Sequence, residues 1–505
     1  MNARLMKRSD SLRASDCRKP AVADICLCTT RSVHTDMFHL SWDLDGVHSC
    51  RPRTAPSVYG IYMRPESSSH QESGDPREQA LQALITYEQA RASMRSVLRD
   101  MQMASDSDVR MHETLALEAI THLNTIDFLL IRTLGRGVLD SLSSRDRNLC
   151  RLALYEARWC EKDPSELNML YPSLKSDLLD AVSRSARVNL PSVLSEMPLV
   201  AEYSLKYSHP SFVVETLLDN LPPPEVKALL DKNNQPRPYY LRANRLREGW
   251  EDIISELEGL DVVLAPDPDV TGLFMVKDGI EHLISSEFFE DGRVIIQDKS
   301  SLIAVSAMNL EDGACVWDAC SAPGMKTELI VEAVGSSGRV VATEYSKSRL
   351  DDARNLSIRL GVRNVQWILG DATKPPVRNA DKILIDAPCS STGILAAYPS
   401  FKWRLNKDTL FALMAIQNKI LDGIITTYAD RPGTEIVYAT CSILPHEGES
   451  QIDSVLSHHN VDLLDPVEPA SPGYSGFGCS DRVTRLFPHR HNSSGFFIAR
   501  LRIGP

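Results

Sequence analysis

From Ala314 onward the chain alternates strand-like and helix-like segments, and each strand-like segment runs into a residue that can carry chemistry. Residues 315–319, 339–344, 365–369, 382–386 and 434–440 read as strands, while 347–360 and 407–428 read as helices. Such alternation specifies a mostly parallel, doubly wound α/β sheet with helices on both faces. Ligands of sheets of this kind bind beyond the carboxyl ends of the strands. Asp318 ends the first strand and Glu344 the second; Asp371 follows the third, Asp386 ends the fourth and Cys441 follows the fifth. All five are therefore expected on one rim. A single carboxylate at such a place is an ordinary helix cap or solvated turn. Five reactive or charged residues at five strand ends describe a site.

The first strand-to-helix turn, Asp318-Ala319-Cys320-Ser321-Ala322-Pro323-Gly324-Met325-Lys326-Thr327, is built of small residues that let a ligand approach the backbone and the following helix N-terminus. It is neither a phosphate-binding P-loop, which needs Gly directly before Lys where Met325 stands, nor the dinucleotide GxGxxG. Glu344, 26 residues after Asp318, suits a carboxylate that accepts both hydroxyls of a ribose. A nucleoside without a cradled phosphate fits this pairing, and S-adenosylmethionine is the expected cofactor.

Cys389, in Asp386-Ala387-Pro388-Cys389-Ser390, and Cys441, in Ala439-Thr440-Cys441-Ser442, lie beyond adjacent strands. One cysteine alone is usually inert packing. Two beside a nucleoside site suggest a thiolate nucleophile. Carbon 5 of cytosine is a weak nucleophile, and thiolate addition at carbon 6 makes it enamine-like and able to attack a methyl sulfonium. Ring nitrogen 3 must gain positive character in that addition, a task for a carboxyl group such as Asp386, and the carbon 5 proton must leave to a base. Spacing does not tell which cysteine attacks. Cys26/Cys28, Cys315/Cys320 and His489/His491 do not assemble the paired spacings of a zinc quartet, so no metal is expected.

Upstream the texture is different. Met94, Val97, Leu98 and Met101 form one helical stripe and Leu123, Ile126, Leu129 and Leu130 a second, so residues 75–225 are expected to form an all-α bundle of six or seven helices. Residues 226–300 read as a small α+β insert, with strands at 239–244, 262–264 and 273–276 around a helix at 250–257. Residues 301–505 are the α/β domain, and 1–74 are expected to be a disordered extension or the product of a mis-set start. Every apolar run is broken before the roughly 18 residues of a membrane helix, so no membrane is expected, and sparse cysteines point to the cytoplasm. The net charge of −12 excludes a broad basic coat for nucleic acid and leaves room only for local basic patches.

At these residues the sequence resembles the Sun (Fmu) family of RNA cytosine-5 methyltransferases, in the branch with an N-terminal NusB-like helical domain. The resemblance runs from about Pro76 to the C-terminus. Its motifs are Ser204-Leu205-Lys206-Tyr207-Ser208-His209-Pro210, Arg242-Ala243-Asn244, Gln297-Asp298-Lys299-Ser300-Ser301, the turn after Asp318, the two cysteine motifs, Phe487-Pro488-His489 and Gly495-Phe496-Phe497-Ile498-Ala499. It implies a NusB-like bundle, the insert, and a Rossmann-like methyltransferase domain. It implies Cys441 as nucleophile, Cys389 as the group assisting product release, and Asp386 and Lys326 at the cytosine and methyl-transfer site. Ala319, Cys320, Ser321, Ala322, Pro323, Gly324, Met325, Lys326, Glu344, Asp371 and Asp386 would surround S-adenosylmethionine, with Asp371 near the adenine. Small-subunit ribosomal RNA is the implied substrate; transfer RNA and a non-catalytic RNA-binding assembly role are the alternatives, and a monomer is expected. Met325, where the family usually has Gly, is expected to crowd the methionine part of the cofactor, and Ser493-Ser494-Gly495 replaces a usual Thr-Asp-Gly. A stacked base hides its ring from a thiol, so the RNA must present an unstacked cytosine. Phe401-Lys402-Trp403-Arg404 and Arg482, Arg485 and Arg490 are expected to offer stacking surfaces and phosphate contacts.

Overall fold

A computed structural model describes residues 75–89, 93–101 and 107–505; the expectation for 1–74 lies outside the described residues. Between Pro76 and Asn220 the described residues form eleven helices where six or seven were expected. Proline and glycine account for the difference, because each restarts the chain at a new angle. Pro164 and Pro191 sit in the first turn of short helices, Pro198 and Pro210 sit at N-caps, and Gly135 separates Leu123–Leu134 from Arg136–Ser141. The stripes read from the sequence do face the interior: Met94, Val97, Leu98, Ile126, Leu129 and Leu130 share one buried cluster. No single described helix is long and apolar enough to cross a membrane. One pair bent by 72°, Met111–Thr121 with Leu123–Leu134, has the length and composition together. Its Leu115, Ala116, Ile120, Ile126, Leu129 and Leu130 are core of the bundle.

The insert forms a four-stranded antiparallel sheet of order β2-β3-β1-β4, with β1 Tyr239–Ala243, β2 Val263–Pro266, β3 Leu273–Asp278 and β4 Val294–Ile296. The helix expected at 250–257 shortens to Ile253–Glu256 and a 3-10 turn, and β4 was not expected. The joins expected at 225/226 and 300/301 both fall inside helices, Pro223–Lys232 and Lys299–Ser306. The reason is packing across the joins. Val226, Leu229 and Leu230 share a core with Leu410, Ile443, Leu444 and Phe487, and Ile303 and Ala304 pack against the catalytic sheet.

The catalytic sheet has eight strands: β5 Cys315–Asp318, β6 Arg339–Glu344, β7 Val365–Leu369, β8 Lys382–Asp386, β9 Glu435–Thr440, β10 Val461–Leu463, β11 Thr484–Leu486 and β12 Phe496–Ile503. Their order is β10-β12-β9-β8-β5-β6-β7, with β11 paired to β12. The five strands β5 to β9 are parallel, and β12 runs antiparallel beside β9. The chain proceeds from β5 outward to β7 and returns on the other side of β5 at β8, which places the topological switch between Asp318 and Asp386. Fully buried Trp317, Ile383, Ile385, Ile436 and Tyr438 form the core under that rim.

Candidate active site

Parallel register brings the five strand ends to one edge. Glu344 is paired with Leu369, Asp318 with Leu384, and Asp386 with Ala439, so Asp371, Asp386 and Cys441 step along the same rim. Loop hydrogen bonds continue the strands: Ala319 N donates to Leu384 O, Ala387 N to Ala439 O and Gly370 N to Glu344 O.

The turn after β5 is braced from below. Thr327 Oγ1 donates to Asp318 Oδ2 at 2.6 Å, and Ser321 N donates to Thr343 O at 2.9 Å. Gly324 holds φ at +104°, a backbone conformation that residues with a Cβ rarely adopt, so glycine lets the chain enter the helix Met325–Val334. Arg349, not singled out in the sequence, donates to Ala322 O at 2.8 Å and pairs with Glu344 at 3.3 Å, tying the turn to the second strand end. Glu344 also accepts from Ser346 N at 2.9 Å, and Asp371 accepts from Thr373 N and Oγ1. Asp318 Oδ1 is buried without a partner, and burial outweighs the Thr327 bond to push this carboxyl up to about 7. An unpartnered buried acceptor at the head of a small-residue turn, with a carboxylate at the next strand end, suits a ligand that has both an ammonium and ribose hydroxyls. Met325 does not crowd this space. Its side chain is 3% exposed and packs with Ile295, Leu356 and Leu360, while its carbonyl accepts from Gln297 Nε2. The first residue of that helix faces the insert.

The two thiols meet. Cys389 Sγ and Cys441 Sγ are 3.2 Å apart, and Ser391 Oγ lies 3.6 Å from Cys441 Sγ. The loops that carry them are pinned by a close backbone crossing: Gly393 N donates to Cys441 O at 2.9 Å and Gly495 N donates to Gly393 O at 2.8 Å. A Cβ on Gly393 would sit 1.9 Å from Gly495 O, so no larger residue fits without parting the loops. Beneath Cys389, the buried Glu447 accepts from Ser390 N at 2.8 Å, Ser390 Oγ at 2.5 Å and Gln417 Nε2 at 3.0 Å. Beneath Cys441, fully buried Arg485 pairs with Glu449 and donates to Ser442 O and Leu444 O at 3.2 and 3.3 Å. Neither Glu447 nor this use of Arg485 was legible, because a lone Glu or Arg in a sequence carries no sign of its depth.

Electrostatics separate the two sulfurs. The hydrogen bond with Cys441 is the main reason the Cys389 thiol is held well above the ordinary value, with burial adding to it. The same bond brings Cys441 below the ordinary thiol value against burial and the Asp386 carboxylate, aided by Ser391 and the Lys326 ammonium. Lys326 Nζ lies 2.7 Å from Asp386 Oδ2; burial opposes its charge, but the ion pair prevails and its pKa is raised. The rim therefore favours a thiolate at Cys441, a proton on Cys389, and an ammonium–carboxylate pair alongside. Among the described residues no group of three or more His, Cys, Asp and Glu could hold a metal ion.

The segments expected to touch RNA are occupied elsewhere. Lys402 is 1% exposed and its Nζ donates to Thr121 O at 3.2 Å and to Asn234 Oδ1 at 2.5 Å. Trp403 Nε1 donates to Ile120 O at 2.7 Å, and Arg404 lies over Tyr87. This run fastens the bundle to the catalytic domain. Arg482 donates to Leu463 O and Arg490 pairs with Glu225 at 3.0 Å. These side chains are bonds within the protein, since a folded chain uses many arginines to satisfy its own carbonyls and carboxylates.

Comparison with known proteins gives two family matches: 16S rRNA methyltransferase RsmB/F over residues 305–502 and the NusB family over residues 75–167. The chain is similar to ribosomal RNA small subunit methyltransferase B of Klebsiella pneumoniae, 29% identical over 447 residues, covering 84% of this chain and 97% of that protein. Its fold is similar to the crystal structure of PH0851, with a TM-score of 0.67 at 24% identity over 85% of this chain and 98% of that one. It is also similar to a methyltransferase homolog from Pyrococcus horikoshii, with a TM-score of 0.54 at 25% identity over 61% of this chain and 99% of that one.

Proposed function

The chain belongs to the 16S rRNA methyltransferase RsmB/F family, joined to a NusB-family domain, and from that premise we propose that it methylates carbon 5 of a cytosine in small-subunit ribosomal RNA with Cys441 as nucleophile. Its cofactor is S-adenosylmethionine, which when bound supplies an electrophilic methyl group on a sulfonium. The single observation that carries this reading is the pair of thiols 3.2 Å apart beside the Lys326–Asp386 pair.

The residues divide the work as follows. Ala319 to Lys326, Glu344, Asp371 and Asp386 hold the cofactor: Glu344 and Asp371 stand at the second and third strand ends for the nucleoside, and Asp318 Oδ1 is the free acceptor for an ammonium. The Cys441 thiolate forms a bond to carbon 6 of the cytosine, and nitrogen 3 takes a proton from the Lys326–Asp386 pair as ring electrons move onto it. Carbon 5 is then electron-rich and, with the cofactor bound, would form a bond to the methyl group as the sulfonium's own sulfur–methyl bond breaks and leaves a neutral thioether. With the charge of Cys441 spent in a carbon–sulfur bond, the hydrogen bond and the charge that Cys441 used to hold the Cys389 proton are gone, so Cys389 releases it to solvent, and burial with the Glu447 carboxylate keeps the thiolate a strong base. It takes the carbon 5 proton, the carbon 5–carbon 6 double bond re-forms, Cys441 leaves as thiolate, and nitrogen 3 returns its proton. Ribosomal RNA as substrate supports a cytoplasmic protein.

Incubation with methyl-labelled cofactor and transcripts of small-subunit ribosomal RNA and of transfer RNA, followed by nucleoside analysis, tests the proposal. Label is expected as 5-methylcytosine in the ribosomal transcript. Label confined to transfer RNA would correct the substrate, and cofactor binding by calorimetry without turnover on any RNA would leave a binding factor.

A further inference from the structure

Two arginines from separate parts of the chain stand together beside the loop that carries Cys389. Arg95 belongs to the bundle helix Met94–Asp100, and Arg237 to the segment between the helix Pro223–Lys232 and β1. Arg95 donates from Nε to Ala397 O, eight residues after Cys389, and its guanidinium lies 5.8 Å from the centre of the Tyr398 ring. The Arg237 guanidinium lies 4.7 Å from the centre of the Tyr239 ring, and its Nε is buried without a partner. Neither arginine is ion-paired to a carboxylate among the described residues.

Several buried and half-buried arginines of this protein are paired with carboxylates, Arg77 with Glu156, Arg151 with Asp127, Arg242 with Glu328 and Arg485 with Glu449, while others, such as Arg158 and Arg247, bond to backbone carbonyls. The acids that reach the cluster are Asp298 on the Arg237 side and Glu113 on the Arg95 side. Asp298 is committed, since it caps the helix Lys299–Ser306 through Ser300 N and Oγ and accepts from Ser494 N. The consequence is mutual repulsion. Burial first, and the Arg237 charge second, lower the Arg95 pKa; Arg237 itself is raised against burial by its tyrosine neighbours, so the strain falls on Arg95. Two guanidiniums that feel each other's charge and have no carboxylate ion pair among the described residues offer donors to an anion, and a planar guanidinium matches phosphate geometry. Its position says which phosphate. Arg95 grips the loop of one thiol, and Asp298, whose charge reaches Arg237, accepts from Ser494 N, whose neighbour Gly495 crosses Gly393 of that same loop.

We propose that Arg95 and Arg237 clamp a backbone phosphate of the RNA strand next to the target cytosine, so that the helical bundle and the catalytic domain hold the substrate jointly. The clamp rests on the reading that RNA is the substrate. It gives the fused bundle a direct part in substrate binding.

The test is a salt titration of binding to a transcript of small-subunit ribosomal RNA. Arg95→Gln and Arg237→Gln are each expected to lower the slope of log affinity against log salt by about 0.7, as loss of one phosphate contact does for a single strand. KM for RNA is expected to rise at least about fivefold while kcat stays within about twofold. Cofactor affinity stays unchanged, and Arg→Lys variants keep the slope because they keep the charge. Unchanged slopes in both glutamine variants overturn the clamp. A second measurement needs no variant: phenylglyoxal labelling of the wild-type protein, mapped by mass spectrometry, is expected to be blocked at both arginines by the transcript, and labelling indifferent to RNA overturns it. A wild-type protein that binds the transcript with this slope and protection, yet transfers no methyl group, removes the enzymatic reading and leaves the clamp standing.

Discussion

Cys389 and Cys441 are the same side chain at the ends of neighbouring parallel strands, 3.2 Å apart, yet their surroundings drive them to opposite protonation states. Cys441 lies 3.2 Å from the Cys389 sulfur and 3.6 Å from the Ser391 hydroxyl and feels the Lys326 ammonium, and all three lower its pKa. Cys389 sits above the buried Glu447 carboxylate and gives up its proton only against a neighbouring negative charge. The roles proposed for the two sulfurs rest on this difference in surroundings. The supports differ as well. Arg485 and Glu449 brace the first loop by a fully buried ion pair, and Glu447 with Gln417 braces the second by hydrogen bonds to Ser390 and Pro388.

The largest effect expected on this asymmetry is that of Cys441→Ala, which should lower turnover at least about 10⁴-fold, as loss of a nucleophile does. Residual turnover above about a tenth of wild type, measured with labelled cofactor, would erase the distinction between the thiols. Cys389→Ala should lower turnover by about 10²- to 10³-fold, in the range of a lost general base. It should also accumulate a denaturation-resistant protein–RNA adduct on gels, and an adduct in Cys441→Ala instead would exchange the two roles. A smaller effect sharpens the electrostatic argument. Because the Cys389 thiol holds Cys441 below the ordinary thiol value, Cys389→Ala should shift the pH midpoint of Cys441 alkylation upward, so that less of it reacts near neutral pH. A midpoint that stays put or falls would mean that the hydrogen bond runs the other way.

The smallest effect concerns the rim beside the thiols. Burial raises the Asp318 carboxyl to about 7, above its unfolded value of about 4. The folded state thus binds this proton more tightly. Its stabilising contribution is complete below about pH 4 and is lost as pH rises toward 7. Relative to Asp318→Asn, which cannot titrate, the wild-type protein should lose stability across that window in denaturant titrations. A difference between the two that is constant with pH would show that the carboxyl is charged throughout.

What could be read from the sequence depended on whether a residue's task is local. The strands at 339–344, 365–369 and 382–386 and the helix at 347–360 have the bounds expected of them, because their apolar runs end at turn residues and at the rim acids themselves. The bundle stripes were legible for the same reason, whereas the helix number was not: prolines at N-caps and first turns read equally well as kinks within fewer helices. Residues that act across domains were the least legible. Lys402 and Trp403 looked like an RNA-facing pair and are the bundle's anchor, and Met325 looked like an obstacle to the cofactor and is packing between the insert and the helix Lys347–Leu360. Arg95 and Arg237 lie 142 positions apart and drew no notice until folding set them beside one loop. One sequence reports a periodicity but not its partner surface.

The most direct test of the central claim uses RNA in which cytosine carbon 5 carries fluorine, which cannot leave as a proton does, so a carbon 6 adduct persists once the methyl group has been transferred. Digestion of the trapped wild-type complex and peptide mapping by mass spectrometry should find the modified nucleotide, with its added methyl, bonded to Cys441. Attachment at Cys389, or quantitative methylation chemistry with no sulfur bonded to the pyrimidine, would contradict the account.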